Sequence, residues 1–160
     1  MSDRRVGIGY DVHRLAADRP LVLGGVTIPF ELGLLGHSDA DVLTHAICDA
    51  LLGAAGLGDI GIQFPDSDER YRGISSLRLL EKVVRFVREA GYMPANVDAT
   101  IVAERPKLSP YLSAMKEAFG KALGLSADRI GLKATTSEGL GALGRGDGIA
   151  AMAVCVIETA

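Results

Sequence analysis

Ile149-Ala-Ala-Met-Ala-Val-Cys-Val-Ile157 is a run of nine residues without one charged or amide side chain. Side chains alternate between the two faces of a strand, so this strand is apolar on both faces and both must be covered. Helices cover one face. In a chain this short a second subunit covers the other, which makes a symmetric homo-oligomer the expectation. The implied fold is α+β, an α/β two-layer domain: a mixed four-stranded sheet, helices on one face, and a small β-hairpin.

The rest of the chain supplies those elements. Val6, Ile8 and Tyr10 alternate with small residues as a strand, and Leu21 to Leu23 and Val26 to Ile28 flank Gly24-Gly25 as a hairpin. One helix is expected from about Asp39 to Gly53 and another from Ser75 or Ser76 to Gly91, with Leu77, Leu80, Val84 and Val87 turned inward. Strand residues Val97, Ala99 and Ile101 precede Ser109-Pro110, an N-cap and N1 pair opening a helix that ends at Gly124. Ile130 to Thr136 forms one more strand. The longest irregular stretch, Gly58 to Arg72, has the length of a functional loop.

At 160 residues and 48% hydrophobic content the chain buries one core, a single domain over 1–160. A net charge of -3 gives no general attraction to nucleic acid. No apolar run approaches the ~20 residues a membrane helix needs, and Met-Ser-Asp-Arg-Arg-Val leads straight into a strand, so a cytoplasmic protein without membrane contact is expected. Cys48 and Cys155 form no disulfide pattern and read as small buried hydrophobes.

Chemistry concentrates in two places. Asp11 and His13 stand at i and i+2 of a strand and so share a face, with Val12 turned into the core. His45 lies in the helix that follows His37-Ser38-Asp39-Ala40-Asp41. One oxygen and two imidazole nitrogens suit zinc with an open fourth position. The same pattern fits a solvated, charge-paired histidine, since Leu43, Ala46, Ile47, Ala50 and Ala54 make a core stripe opposite Asp41, His45 and Asp49. The second place is Lys133 to Gly148. Gly139-x-Gly141-x-x-Gly144 leads into a strand rather than a helix, which excludes a dinucleotide fingerprint. Thr135, Thr136, Ser137 and Arg145 can face phosphate oxygens and Glu138 can hold a hard cation, or the segment is only a solvated turn.

Gly-Ile-Gly-Tyr-Asp-Val-His-Arg-Leu (7–15), Gly-His-Ser-Asp-Ala-Asp-Val-Leu-x-His (36–45), Gly-Asp-Ile-Gly (58–61), Phe-Pro-Asp-Ser-Asp (64–68), Pro-Lys-Leu (106–108) and Lys-Ala-Thr-Thr-Ser-Glu (133–138) resemble the 2-C-methyl-D-erythritol 2,4-cyclodiphosphate synthases across nearly the whole chain. The resemblance implies a phosphorus-oxygen lyase of the non-mevalonate isoprenoid pathway. Its CDP-linked substrate, 4-diphosphocytidyl-2-C-methyl-D-erythritol 2-phosphate, cyclises with loss of CMP. It further implies zinc on Asp11, His13 and His45, and Mg²⁺ or Mn²⁺ on Glu138. His37 and Thr136 would stabilise the transition state, and Ser38 would contact phosphate.

By the same resemblance Asp11, Val12 and His13 border the substrate, and Asp59, Ile60 and Gly61 receive the methylerythritol hydroxyls. Phe64, Pro65, Asp66, Ser67 and Asp68 edge that pocket. The cytidine side would comprise Ala103, Glu104, Arg105, Pro106, Lys107, Leu108 and Ser109 with Thr135, Thr136 and Ser137. Arg145, with Ala142 in the same turn, would meet the diphosphate. A homotrimer with active sites between subunits is implied, with an isoprenoid diphosphate on the trimer axis as a further ligand. A zinc phosphoesterase using water at the open position, or a trimeric module that binds nucleotides or isoprenoid diphosphates without turnover, accommodates the same residues.

Overall fold

The computed structural model describes residues 2–160. Its main sheet is built on β7 (Gly148–Thr159), flanked by β1 (Arg4–Ala16) and β5 (Tyr92–Val102), both antiparallel to it. Outside β5 runs β6 (Ile130–Thr135), parallel to it. Leu21–Leu23 (β2) and Val26–Ile28 (β3) pair as the separate hairpin. The main sheet has five strands rather than four, because β4 (Gly33–Leu34) joins its edge opposite Leu15 and Ala16. Two residues carry no readable period, so β4 leaves no trace in the pattern.

Helices α1 (Val42–Ala55), α3 (Ser76–Glu89) and α4 (Leu112–Leu123) lie together on one face. Asp41 caps α1, while Gly56 and Gly124 end α1 and α4 in the left-handed region, at φ 73° and 70°. Gly58 to Arg72 is not an irregular loop: it contains α2 (Ile60–Gln63) and a 3₁₀ turn at Glu69–Tyr71. The glycine segment likewise holds one helical turn, α5 (Gly141–Gly144), before β7, too short to form a dinucleotide-binding unit.

The contact between β1 and α1 positions everything that follows. A Cβ at Gly7 would stand 1.8 Å from the Ala50 carbonyl oxygen, and one at Gly9 1.9 Å from that of Ala46. Only glycine permits this approach. Because β1 alternates, Asp11 and His13 continue the face of Gly7 and Gly9 and point at the same helix. With the sheet so close and α3 behind, α1 is buried on nearly all sides, Thr44, His45 and Cys48 included. Its polar stripe is therefore not a solvated face, and the expected amphipathic wheel does not describe it.

The opposite face of the sheet is open. Ile8 is 74% exposed and Tyr10 57%, and across the ladder Met152 and Val154 are each 45% exposed. Val12, expected in the core, stands on this face and is exposed. In β1 the small residues turn inward and the large ones outward, so the apolar patch has no cover within the chain. Among the described residues no helix is long and apolar enough to cross a membrane.

Candidate active site

At the end of β1 the Asp11 carboxylate lies 2.9 Å from His13 Nε2 and 3.0 Å from His45 Nδ1. The two nitrogens are 3.3 Å apart. A tetrahedral zinc ion with bonds of about 2.0–2.1 Å holds its ligand atoms roughly 3.3 Å from one another. The three donors thus stand near the edges of such a coordination shell, and one oxygen with two nitrogens is an appropriate set. They form a group able to hold a divalent cation.

The orientation of His13 follows from its other nitrogen. Its Nδ1 lies 2.8 Å from the Leu35 carbonyl oxygen, which can only accept, so Nδ1 carries hydrogen and neutral His13 presents a bare Nε2. Burial alone would raise the Asp11 carboxyl, but hydrogen bonds from His13 and His45 and their charge outweigh it and hold it down at about 2. Burial lowers His13, and the hydrogen bond and charge of Asp11 outweigh that, leaving it raised. Asp11 is an anion that demands a positive partner, proton or metal.

The donors open into a cleft of about 240 Å³, also lined by His37, Ser38, Ile60, Gly61, Phe64 and Asp66. Its far wall depends on Asp49: one turn beyond His45, it accepts the Ile60 N–H at 2.9 Å and ties α2 to α1. Asp59 caps α2 through Ile62 N–H at 2.9 Å. His37 Nε2 lies 3.3 Å from the Asp68 carbonyl, and Asp68 itself pairs with Arg70. Asp59, Pro65, Ser67 and Asp68 are not part of the cleft lining, and neither is Val12.

The hydroxyl segment sits elsewhere. Thr135, Thr136 and Glu138 are exposed, and no residue of 103–109 or 135–145 lines the cleft. The Glu104 carboxylate accepts the N–H groups of Ser137 and Gly139, at 2.8 and 3.2 Å, and shapes the turn. Glu138 adopts φ 53°, a left-handed conformation uncommon outside glycine. Arg145 pairs with Asp147 and exposed Arg105 with Glu31. Leu108 and Ala103 are buried, whereas Lys107 and Ser109 reach solvent and Pro106 and Ala142 lie at the surface of the same region.

Residues 4–158 match the model of the YgbB family. The chain belongs to that family. Over 155 residues it is 59% identical to a 2-C-methyl-D-erythritol 2,4-cyclodiphosphate synthase of Lachnospira eligens, covering 97% of this chain and 85% of that one. A solved 2C-methyl-D-erythritol-2,4-cyclodiphosphate synthase in a CDP-bound form superposes with a TM-score of 0.88 at 42% identity, over 96% of this chain and 99% of the other. The bifunctional IspDF of Campylobacter jejuni superposes at 0.96 with 41% identity, and this chain spans only 43% of it.

The YgbB-family cleft contains residues that motif reading passes over. Tyr71 meets Phe64 edge-on with ring centroids 5.2 Å apart, Phe64 stacks on Phe86, and Leu79 of α3 closes the floor. Phe64 and Tyr71 are the two aromatics of the Gly58 to Arg72 stretch, and that pairing was the available signal. Asp49 offered none beyond its i+4 spacing from His45.

Proposed function

We propose that this chain converts 4-diphosphocytidyl-2-C-methyl-D-erythritol 2-phosphate into the 2,4-cyclodiphosphate and CMP, as a phosphorus-oxygen lyase of the isoprenoid pathway in the cytoplasm. The observation carrying this reading is the convergence of Asp11, His13 and His45 at the mouth of a cleft already walled by His37, Ser38 and Gly61. Zinc is the ion assigned to those three residues, and Mg²⁺ or Mn²⁺ the ion assigned to Glu138. When bound, these cations neutralise phosphate charge and polarise the phosphoryl group.

The attacking 2-phosphate belongs to the substrate, so the chain needs no nucleophile of its own. Its residues supply position, and holding two reacting groups in attack geometry is worth about 7–11 kcal/mol at best. Asp59, Ile60 and Gly61 hold the methylerythritol end, steadied by the Asp49 anchor. His37 and Ser38 donate to phosphate oxygens from the cleft, and Thr136 donates from the cytidine side. The separation of Thr136 from the cleft and the open apolar face of the sheet together support a homotrimer, in which the hydroxyl segment of one subunit faces the cleft of the next. Phosphorus NMR of the purified protein with this substrate and Mg²⁺ tests the activity: CMP and a cyclic diphosphate are expected, and release of inorganic phosphate would select the phosphoesterase instead.

A further inference from the structure

His45 touches more than Asp11 and His13. Its Nε2 lies 2.8 Å from Ser76 Oγ and 3.1 Å from Ser38 Oγ, both buried. Ser76 Oγ in turn donates a hydrogen bond to the Asp39 carboxylate. The same carboxylate accepts Ser76 N–H at 3.0 Å and Asp41 N–H at 3.2 Å, so both of its oxygens are acceptors. A serine hydroxyl has one proton, and here Asp39 takes it. Ser76 Oγ then has only lone pairs for His45, so toward Nε2 it can act only as an acceptor of an Nε2–H. With the hydrogen on Nε2, Nδ1, the atom facing Asp11 and His13, is bare and open to a cation.

We propose that Asp39 and Ser76 are positioning residues for the metal, forming a carboxylate–hydroxyl–imidazole relay that fixes the tautomer of His45 and aims Nδ1 at the ion. The proposal rests on the reading of Asp11, His13 and His45 as metal ligands. Metal-bound histidines commonly give their second N–H to a carboxylate or carbonyl, which fixes the ring and strengthens its basicity. Here a serine is interposed. The backbone supports the arrangement: Ala40, fully buried, adopts φ 58°, and this left-handed residue turns Asp39 toward Ser76 while Asp41 turns to the hairpin amides of Gly24 and Gly25. Ser76 opens α3, so the relay also fastens that helix to the metal centre.

Two measurements on the full-length chain test it. Imidazole ¹⁵N NMR of the zinc-loaded protein should show His45 with the metal on Nδ1 and hydrogen on Nε2; ligation through Nε2 overturns the relay even if no variant folds. Zinc affinity, read by competition with a chromogenic chelator, should fall about 10- to 100-fold in Ser76→Ala and in Asp39→Asn, the range typical of such outer partners. Wild-type affinity in Ser76→Ala would overturn the relay while leaving the ligand assignment intact. Failure of the wild-type chain to bind zinc would overturn both.

Discussion

Asp11, His13 and His45 come from a strand and a helix far apart in sequence, yet each finds the other two within hydrogen-bonding range, and each imidazole has a fixed second partner. Thr136 and Glu138 make the opposite picture: they are exposed, bonded only within their own turn, and outside the cleft lining. The difference is one of packing. The metal half grows from the close approach where Gly7 and Gly9 let α1 settle onto β1. The hydroxyl half lies in an exposed strand end and turn. One half is finished by folding, and the other, in the proposed homotrimer, faces a neighbouring chain.

The largest expected effect comes from removing a ligand. His45→Ala should lose most zinc by elemental analysis and lower turnover at least about a hundredfold, since a cation at a phosphoryl group is worth several kcal/mol. Retained zinc in both His45→Ala and His13→Ala would break the assignment.

Next come the glycines that distinguish the halves. Gly9→Ala drives a Cβ into the Ala46 carbonyl and should cost about 3 kcal/mol, with a Tm drop near 10 °C and weakened zinc binding. Gly139→Ala meets no neighbour within 4 Å and bears only the strain of φ 73°, about 1 kcal/mol, with zinc affinity unchanged. Equal melting shifts would remove the packing contrast. Smaller again, Glu138→Gln should leave zinc content intact while Mg²⁺-dependent turnover falls about 10- to 100-fold; unchanged activity across a Mg²⁺ titration refutes its role.

The least effect concerns the thiols, both buried inside the finished half. Burial pushes Cys48 well above its ordinary value and Cys155 up to about 11. Neither should be alkylated in the native protein near neutral pH, and mass spectrometry after brief iodoacetamide treatment checks this. Modification of the folded chain would show that α1 is less enclosed than described.

The strands other than β4, the hairpin and the glycine stops at Gly91 and Gly124 were legible because each rests on local period or local turn chemistry, whereas α1 runs past the expected Gly53 to a left-handed Gly56. Legibility failed where a distant partner decides the outcome. The polar stripe of α1 looks solvated until β1, free of Cβ atoms at positions 7 and 9, closes over it. Val12 looks like a core residue because apolar side chains usually face inward, whereas in β1 the glycines claim that face. Asp11, His13 and His45 could be picked out by type and spacing as one of two readings, and folding brings their donor atoms together. Asp39 and Ser76, 37 residues apart, carry no shared motif, and only folding shows that they meet.

The claim that a second chain completes the site is tested most directly by mixing His45→Ala and Thr136→Ala proteins under conditions of subunit exchange. Each mutant alone lacks one half of every site and should be nearly inactive. In an equal mixture about one quarter of the boundaries pair an intact metal half with an intact Thr136 half, and turnover should recover toward that fraction of wild type. A mixture no more active than its components, or a wild-type protein that is monomeric by light scattering and fully active, would contradict the account.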